Sequence, residues 1–398
     1  MGISGRLMRI CLVYDCLFPH TLGGAERWYR SLAERLAADG HGVTYLTLRQ
    51  WERGEHPGVP GVDVRAVGPR MALYDAPGHR RVLPPVVFGA GVLWHLLRHG
   101  RRYDVVHTCS FPYFSLLAVA AVRPLGRYRV VVDWFEVWSR GYWREYLGRL
   151  GDVGWLVQRL CARVPQRAFC FSRLYARRLR AEGLRGEQTL LGGAYDGPVR
   201  PSPTESPEPL VVFAGRHIPE KRVPAIVPAI AAARRRVPGI RALILGRGPE
   251  RDEVIRAVRE AGLQDAIDVP GFVETAEVDA AIGRATCMLL PSRREGYGLV
   301  VVEAASHGTP SIVVQGEDNA AVELIEEGVN GFVAPSASPA DLAEAITRTC
   351  AGGRALRDST AAWFAANAKR LSLERSLEAV LAAYHDDLGD QAGSQPTA

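Results

Sequence analysis

The chain has 398 residues, 47% of them hydrophobic and 23% charged, with 41 glycines and 26 prolines. That length and apolar content suit two domains with full cores and exclude a disordered chain. No run of 18 or more apolar residues offers a membrane span; the nearest, Val82 to Leu97, is interrupted by Pro84, Pro85 and His95. The net charge of +6 conceals a division, because residues 1–200 hold 29 arginines against 16 acidic residues, a net of +13, while residues 201–398 carry a net of −7.

In chain order, Arg9–Tyr14 reads as a first strand, followed by a loop over 15–24, a helix from Ala25 to Ala38 closed by Gly40, and a strand at Val43–Leu48. Further strands are predicted at Val62–Ala66, Val105–Thr108, Arg129–Asp133, Ala168–Ser172 and Thr189–Leu191. Residues 200–209 contain four prolines without periodicity and read as a linker. A second alternation follows, with strands at Leu210–Ala214, Arg241–Gly246, Ile267–Val269, Cys287–Pro291 and Ser311–Val314, and then helix from Asp341 to about Leu388. Strand–helix alternation of this kind specifies an α/β fold with parallel sheets. The organisation expected is an N-terminal domain over 1–200, a linker over 201–209, a C-terminal domain over 210–375, and a terminal helix and tail over 376–398. Doubly wound sheets bind ligands beyond the carboxyl ends of their strands, and a cleft between two such domains is a favoured place for a site.

The second half carries the strongest motif, residues 289–304, LLPSRREGYGLVVVEA. A buried strand ends at Pro291, a glycine-containing loop follows, and a helix is predicted to start near Gly298. Free N–H groups at a helix start, flanked by small residues, favour an anion. Glu295 falls in the loop and Glu303 about one turn into the helix, in reach of a ribose diol; by spacing alone, an exposed loop charge and a solvated helix residue account for the pair equally well. Upstream, Gly215-Arg216 closes a strand and Lys221, one of only two lysines in the chain, is expected to enter the next helix. An arginine fork and a lysine point charge suit a diphosphate. Gly246 begins a second glycine-rich strand exit, GRGP, and Gly271-Phe272-Val273 follows a third strand, where backbone could meet a base. In the first half, Gly23 and Gly24 open the first helix, a placement that a plain helix start explains as well.

The ordered set GGAE, GR…EK, GxGP and E-x7-E resembles the family 4 glycosyltransferases of the GT-B fold, over residues 9–375. The resemblance implies two Rossmann-like doubly wound domains facing each other across a cleft, the first for the acceptor and the second for a nucleotide-diphosphate sugar. It implies a retaining, metal-independent hexosyltransferase-type reaction, with no cofactor beyond the co-substrate. By the same resemblance Arg216 and Lys221 neutralise the departing diphosphate and Glu295 holds donor hydroxyls. Gly296, Tyr297, Gly298 and Leu299 assist that grip, Glu303 takes the ribose, and Gly23 and Gly24 approach from the first domain. One departure stands out. Many relatives end a first-domain strand in T-x-H-D or T-W-H-E, whereas Asp133-Trp134-Phe135-Glu136 places Phe135 where the histidine stands. Phe135 cannot donate to a sugar hydroxyl, so Asp133 or Glu136 is expected to supply the acceptor-side contact. The alternative is a sugar-nucleotide-binding protein with weak or no transfer; a phosphorylase or nucleotide-sugar epimerase would share the architecture.

Other chemistries find no support. The seven scattered cysteines lack zinc spacing and read as reduced thiols of a cytoplasmic protein; the N-terminus offers no signal-peptide pattern. A P-loop, a G-x-S-x-G elbow and a DxD metal motif are all missing from the sequence, and His20, His107 and His217 form no nucleophile arrangement. Nucleic-acid binding lacks a motif. The surplus of arginine in the first half instead suits the inner face of an anionic membrane or an acidic acceptor. Sugar, base, linkage, acceptor and oligomeric state are not encoded in any motif.

Overall fold

The computed structural model describes residues 7–21, 23–52, 54–55, 57–74, 80–200 and 208–392, with side chains to 385. The chain divides into two units: one holds the chain up to Ala194 together with the segment from Leu373 onward, the other runs from Tyr195 to Ser372.

The first unit is built on β1 (Arg9–Val13), β2 (Gly42–Leu48), β3 (Val62–Gly68), β4 (Val105–Cys109), β5 (Arg129–Trp134), β6 (Arg167–Cys170) and β7 (Gln188–Leu190). They form one parallel sheet in the order β3-β2-β1-β4-β5-β6-β7. Ile10, Leu12, Val105, Val106 and Val132 are wholly buried, as strands covered on both faces must be. The connecting helices are α1 (Gly24–Ala38), α2 (Leu83–His99), α3 (Tyr113–Gly126), α4 (Arg140–Leu147), α5 (Gly151–Ala162) and α6 (Arg173–Ala181). The sheet is wound outward in both directions from β1 and β4, so the chain reverses its direction of travel between those two strands.

The second unit contains β8 (Glu208–Ala214), α7 (Ile226–Arg234), β9 (Arg241–Leu245), α8 (Arg251–Glu260), β10 (Ile267–Gly271), α9 (Thr275–Arg284) and β11 (Ala285–Leu290). After these come β12 (Arg294–Glu295), α10 (Leu299–Ser306), β13 (Ser311–Val314), β14 (Asp318–Asn319), β15 (Gly331–Ala334) and α11 (Pro339–Leu371), which kinks at Gly353, φ +46°. Its parallel sheet has the order β10-β9-β8-β11-β13-β15, with β12 and β14 paired separately. Here the winding reverses between β8 and β11. The core lies on both faces of the sheet, around Val211, Phe213, Ile244, Leu289 and Ile346 on one side and Val212, Met288 and Ala304 on the other.

Strand β8 starts at Glu208, two residues inside the expected linker, whose residues 201–207 lie outside the described residues. The terminal helical stretch is two helices, not one. It breaks at Ser372, and α12 (Leu373–Ala392) packs within the first unit. Its anchor is a buried chain of polar contacts. Tyr384 Oη lies 2.5 Å from His107 Nδ1, His107 Nε2 lies 3.0 Å from Asp133 Oδ1, and Trp28 Nε1 donates to Asp133 Oδ2 at 2.7 Å. Arg129 donates to the Tyr384 carbonyl at 2.8 Å, and Ser376 Oγ donates to the Gly193 carbonyl at 2.6 Å.

Candidate functional site

In the second unit the reversal between β8 and β11 sets the loop leaving β8 beside the loop leaving β11, where doubly wound sheets bind ligands. The loop after β8 carries Gly215, Arg216 and Lys221. Lys221 does not enter the following helix as expected: it closes a single 3-10 turn, Pro219–Lys221, and α7 begins only at Ile226. The left-handed Arg222 (φ +51°) ends that turn and prevents it from running on as helix. Lys221 Nζ donates to Glu295 Oε1 at 2.5 Å, between side chains 19% and 10% exposed. The two loops are also joined through backbone, since Arg293 N donates to the Glu220 carbonyl at 2.8 Å, and Arg294 lies 3.5 Å from the Glu220 carboxylate.

Glu295 owes its place to β12. That strand pairs Arg294 with Asp318 and Glu295 with Asn319 of β14. Asn319 is fully buried and donates from Nδ2 to the carbonyls of Ser292 (3.1 Å) and Val314 (2.8 Å), so the loop is held from behind. Beyond Glu295, Gly296 and Tyr297 are partly buried, and burial pushes the Tyr297 phenol pKa upward. Gly298 adopts φ +96° immediately before α10, and a Cβ there would come within 2.7 Å of Ala321 Cβ. No side chain caps α10, which leaves the first N–H groups, from Leu299 onward, at the strand-end face. Glu303 lies in the second turn of α10, half-buried.

The glycine-rich exits are packed on one another. A Cβ on Gly246 (φ +125°) would come within 1.9 Å of the Gly215 carbonyl oxygen, and one on Gly248 within 2.3 Å of the His217 carbonyl oxygen. Gly215 N donates to the Leu245 carbonyl and Gly246 N to that of Gly271, at 3.1 and 2.8 Å. These glycines therefore bring three strand ends into direct backbone contact. Phe272 is exposed with Arg247 above its ring, 5.4 Å from the centroid, and Val273 beside it is partly buried. Arg216 is exposed and makes no hydrogen bond or ion pair among the described residues.

In the first unit Gly23 precedes α1 with extended backbone (φ 179°), and Gly24 is its exposed first residue. Of the acceptor-side trio, Asp133 is corrected. Its carboxylate is fully buried and directed at Trp28 and His107, so it serves the α12 anchor and presents nothing to a substrate. Phe135 stacks on Phe171 (4.7 Å, 16° between planes), and Glu136 accepts from Trp138 Nε1 at 2.7 Å. Sequence reasoning missed a buried ion pair at the end of β1, Asp15 with Arg80, the latter 5.1 Å above Phe111. Burial opposes the Arg80 charge, but Asp15 together with Cys16, Tyr74 and Tyr14 outweighs it, and the pKa lies well above the ordinary arginine value. Sixty-five residues separate the two, so no local pattern could have joined them. Asn319, likewise, is tied to Glu295 only by the β12–β14 pairing.

Two family models match this chain: the glycosyl transferase 4-like domain over 23–192 and the glycosyl transferases group 1 over 199–370. The chain belongs to the family 4 glycosyltransferases of the GT-B fold. Among curated relatives of this glycosyltransferase, the alpha-D-kanosaminyltransferase of Streptomyces kanamyceticus is 31% identical over 140 residues, 35% of this chain and 36% of that one. The chain thus spans little more than a third of that relative's length. Among solved structures, sucrose-phosphate synthase from Thermosynechococcus elongatus superposes with a TM-score of 0.75 at 18% identity, covering 96% of this chain and 100% of that one. HepE from Anabaena, in complex with UDP, gives 0.67 at 18% identity, covering 98% and 100%. At such identities the likeness is one of fold.

Proposed function

We propose that this glycosyltransferase is a retaining, metal-independent enzyme that moves a sugar from a nucleotide-diphosphate donor to an acceptor hydroxyl. The observation that carries the reading is the Lys221–Glu295 contact at the β8–β11 reversal, with the uncapped start of α10 directly downstream. An ammonium has three N–H donors. Lys221 can keep one on Glu295 and turn the others to a diphosphate, while Arg216, unengaged in the described residues, adds a planar fork. In the transfer step the bond from the sugar's anomeric carbon to the diphosphate oxygen breaks, its electron pair leaving with the diphosphate. The acceptor oxygen bonds to the same carbon on the same face, and its proton passes to the departing diphosphate. Negative charge grows on the leaving group, so Arg216, Lys221 and the α10 N–H groups bind the transition state more strongly than the ground state. Glu295 is placed to grip donor hydroxyls and Glu303 the ribose.

The test is a thermal-shift screen against UDP, GDP, dTDP and ADP sugars, followed by nucleotide release with and without acceptor alcohols. A donor at a hundred times its Kd stabilises by about 2.7 kcal/mol. The reading fails if every donor leaves the melting temperature unchanged. The second reading, donor binding without efficient transfer, draws on the Phe135–Phe171 stack and the inward Asp133, which leave Glu136 as the polar member of the trio outside the core. Release that is equally slow with every acceptor and rises in Phe135→His would favour it.

A further inference from the structure

Helices α2, α3 and α5 lie side by side in the first unit, α2 packed on α3 and α3 on α5. A helix at the surface of a soluble protein should turn a polar stripe outward. On α2 the outward stripe is Leu83, Val86, Leu93, Trp94 and Leu97, from 36% to 62% exposed, at helical spacing. Its inner side is apolar too, with Phe88, Val92 and Leu96 buried. The stripe continues through Phe114 and Leu125 of α3 to Val153, Leu156 and Leu160 of α5, all exposed. Among the described residues, 12 of the 16 exposed large hydrophobic side chains fall on these three helices and their immediate flanks, so this is one patch and not scatter.

Around α2 and α3 the charge has one sign, while the exposed Asp152 of α5 is paired with Arg140 and Arg144. From Arg81 to Tyr128 the sequence holds six arginines and a single acidic residue, Asp104, which is bound to Arg9 at 3.1 Å. Arg81 precedes α2, while Arg98, Arg101 and Arg102 follow its apolar stripe and are exposed. The Arg98 guanidinium lies over the Trp94 ring, the amphipathic pairing found where an apolar body meets a wet, charged layer. No helix among the described residues is long and apolar enough to cross a membrane, so α2 would lie in the interface plane. A second copy of the chain docking on this face would set arginines against arginines.

We propose that the α2–α3–α5 face docks on an anionic lipid bilayer, the apolar stripe entering the headgroup boundary and Arg81, Arg98, Arg101 and Arg102 binding lipid phosphates. The inference is independent of the transfer chemistry. The full chain is sedimented with phosphatidylglycerol-containing vesicles and with pure phosphatidylcholine vesicles. Wild type should partition onto the anionic vesicles and only weakly onto the neutral ones. Replacing Arg98, Arg101 and Arg102 with serine should weaken anionic partition by about a hundredfold, and Trp94→Ser with Leu97→Ser by at least about tenfold. All five side chains are exposed, and Arg101's bond to the Leu125 carbonyl (3.2 Å) lies at the surface, so melting temperature and donor-induced thermal shift should stay close to wild-type values. Equal partition onto both vesicle types, no loss in either variant, or a dimer that Trp94→Ser with Leu97→Ser makes monomeric without any vesicle binding would overturn the proposal.

Discussion

Lys221 and Glu295 touch at 2.5 Å with side chains 19% and 10% exposed, so the prediction is that they act on the reaction as one unit. At that separation and an effective dielectric of about 20 the gross attraction is ~7 kcal/mol. Desolvation of both ions consumes most of it, and a charged hydrogen bond of this kind retains about 1.5–3 kcal/mol. Lys221→Ala removes a donor aimed at the leaving diphosphate, which should slow turnover by ~10²-fold or about 2.7 kcal/mol. Glu295→Ala frees Lys221 from its anchor and takes away a grip on the donor sugar; a loss of similar size is expected. If each works through the other, the double variant should be about as slow as the worse single one, near ~10²-fold. Independent action would multiply the two losses to about 10⁴-fold, ~5.5 kcal/mol. The measurement is kcat/KM for nucleotide release in all four proteins with the donor selected by thermal shift. A multiplicative double variant refutes the coupling, and a near-wild-type Lys221→Ala removes Lys221 from the site.

Tyr384→Phe deletes the hydroxyl that meets His107 in the buried chain to Asp133 and Trp28, and should destabilise the first unit by ~1–3 kcal/mol; an unchanged melting temperature would show the contact to be idle. Gly246→Ala should lower the melting temperature of the second unit and abolish donor-induced stabilisation, because its Cβ would sit 1.9 Å from the Gly215 oxygen at a φ of +125°. Burial, with His99 adding to it, pushes the His95 pKa down to about 4, below the ~6.5 of an unfolded chain. The unfolded state then binds the extra proton between those values, so stability from His95 is complete above about pH 6.5 and drains away, by at most ~3 kcal/mol, as pH falls towards 4. Urea midpoints across that range should fall in wild type and flatten in His95→Gln; parallel slopes would refute the assignment.

The strands were legible wherever both faces are buried. RICLV, VVHTC and ATCMLL are mostly apolar and almost wholly buried, and each became a central strand. β15 escaped notice because GFVA is short and begins with a glycine, and β12 and β14 because two residues carry no period. Around the site, the glycines were legible as strand exits, but their reason was not. Gly246 is required by a neighbouring backbone 31 residues away, so the glycine-rich motif is first a packing motif. Asp133 misled for the opposite reason: a carboxylate at a strand end looks available, and only burial against Trp28 and His107 shows that it is spent.

By itself the sequence determined the α/β class, the two-fold alternation, the glycosyltransferase family and the asymmetry of charge, since each is written in local pattern or in ordered motifs. Tertiary structure alone decided that Lys221 faces Glu295, that Asp15 faces Arg80, that α12 returns to the first unit, and that the apolar surplus of α2 lies outward. These are contacts across 65 to 277 residues or facts of exposure, and they arise where strand order, not chain order, sets the neighbours.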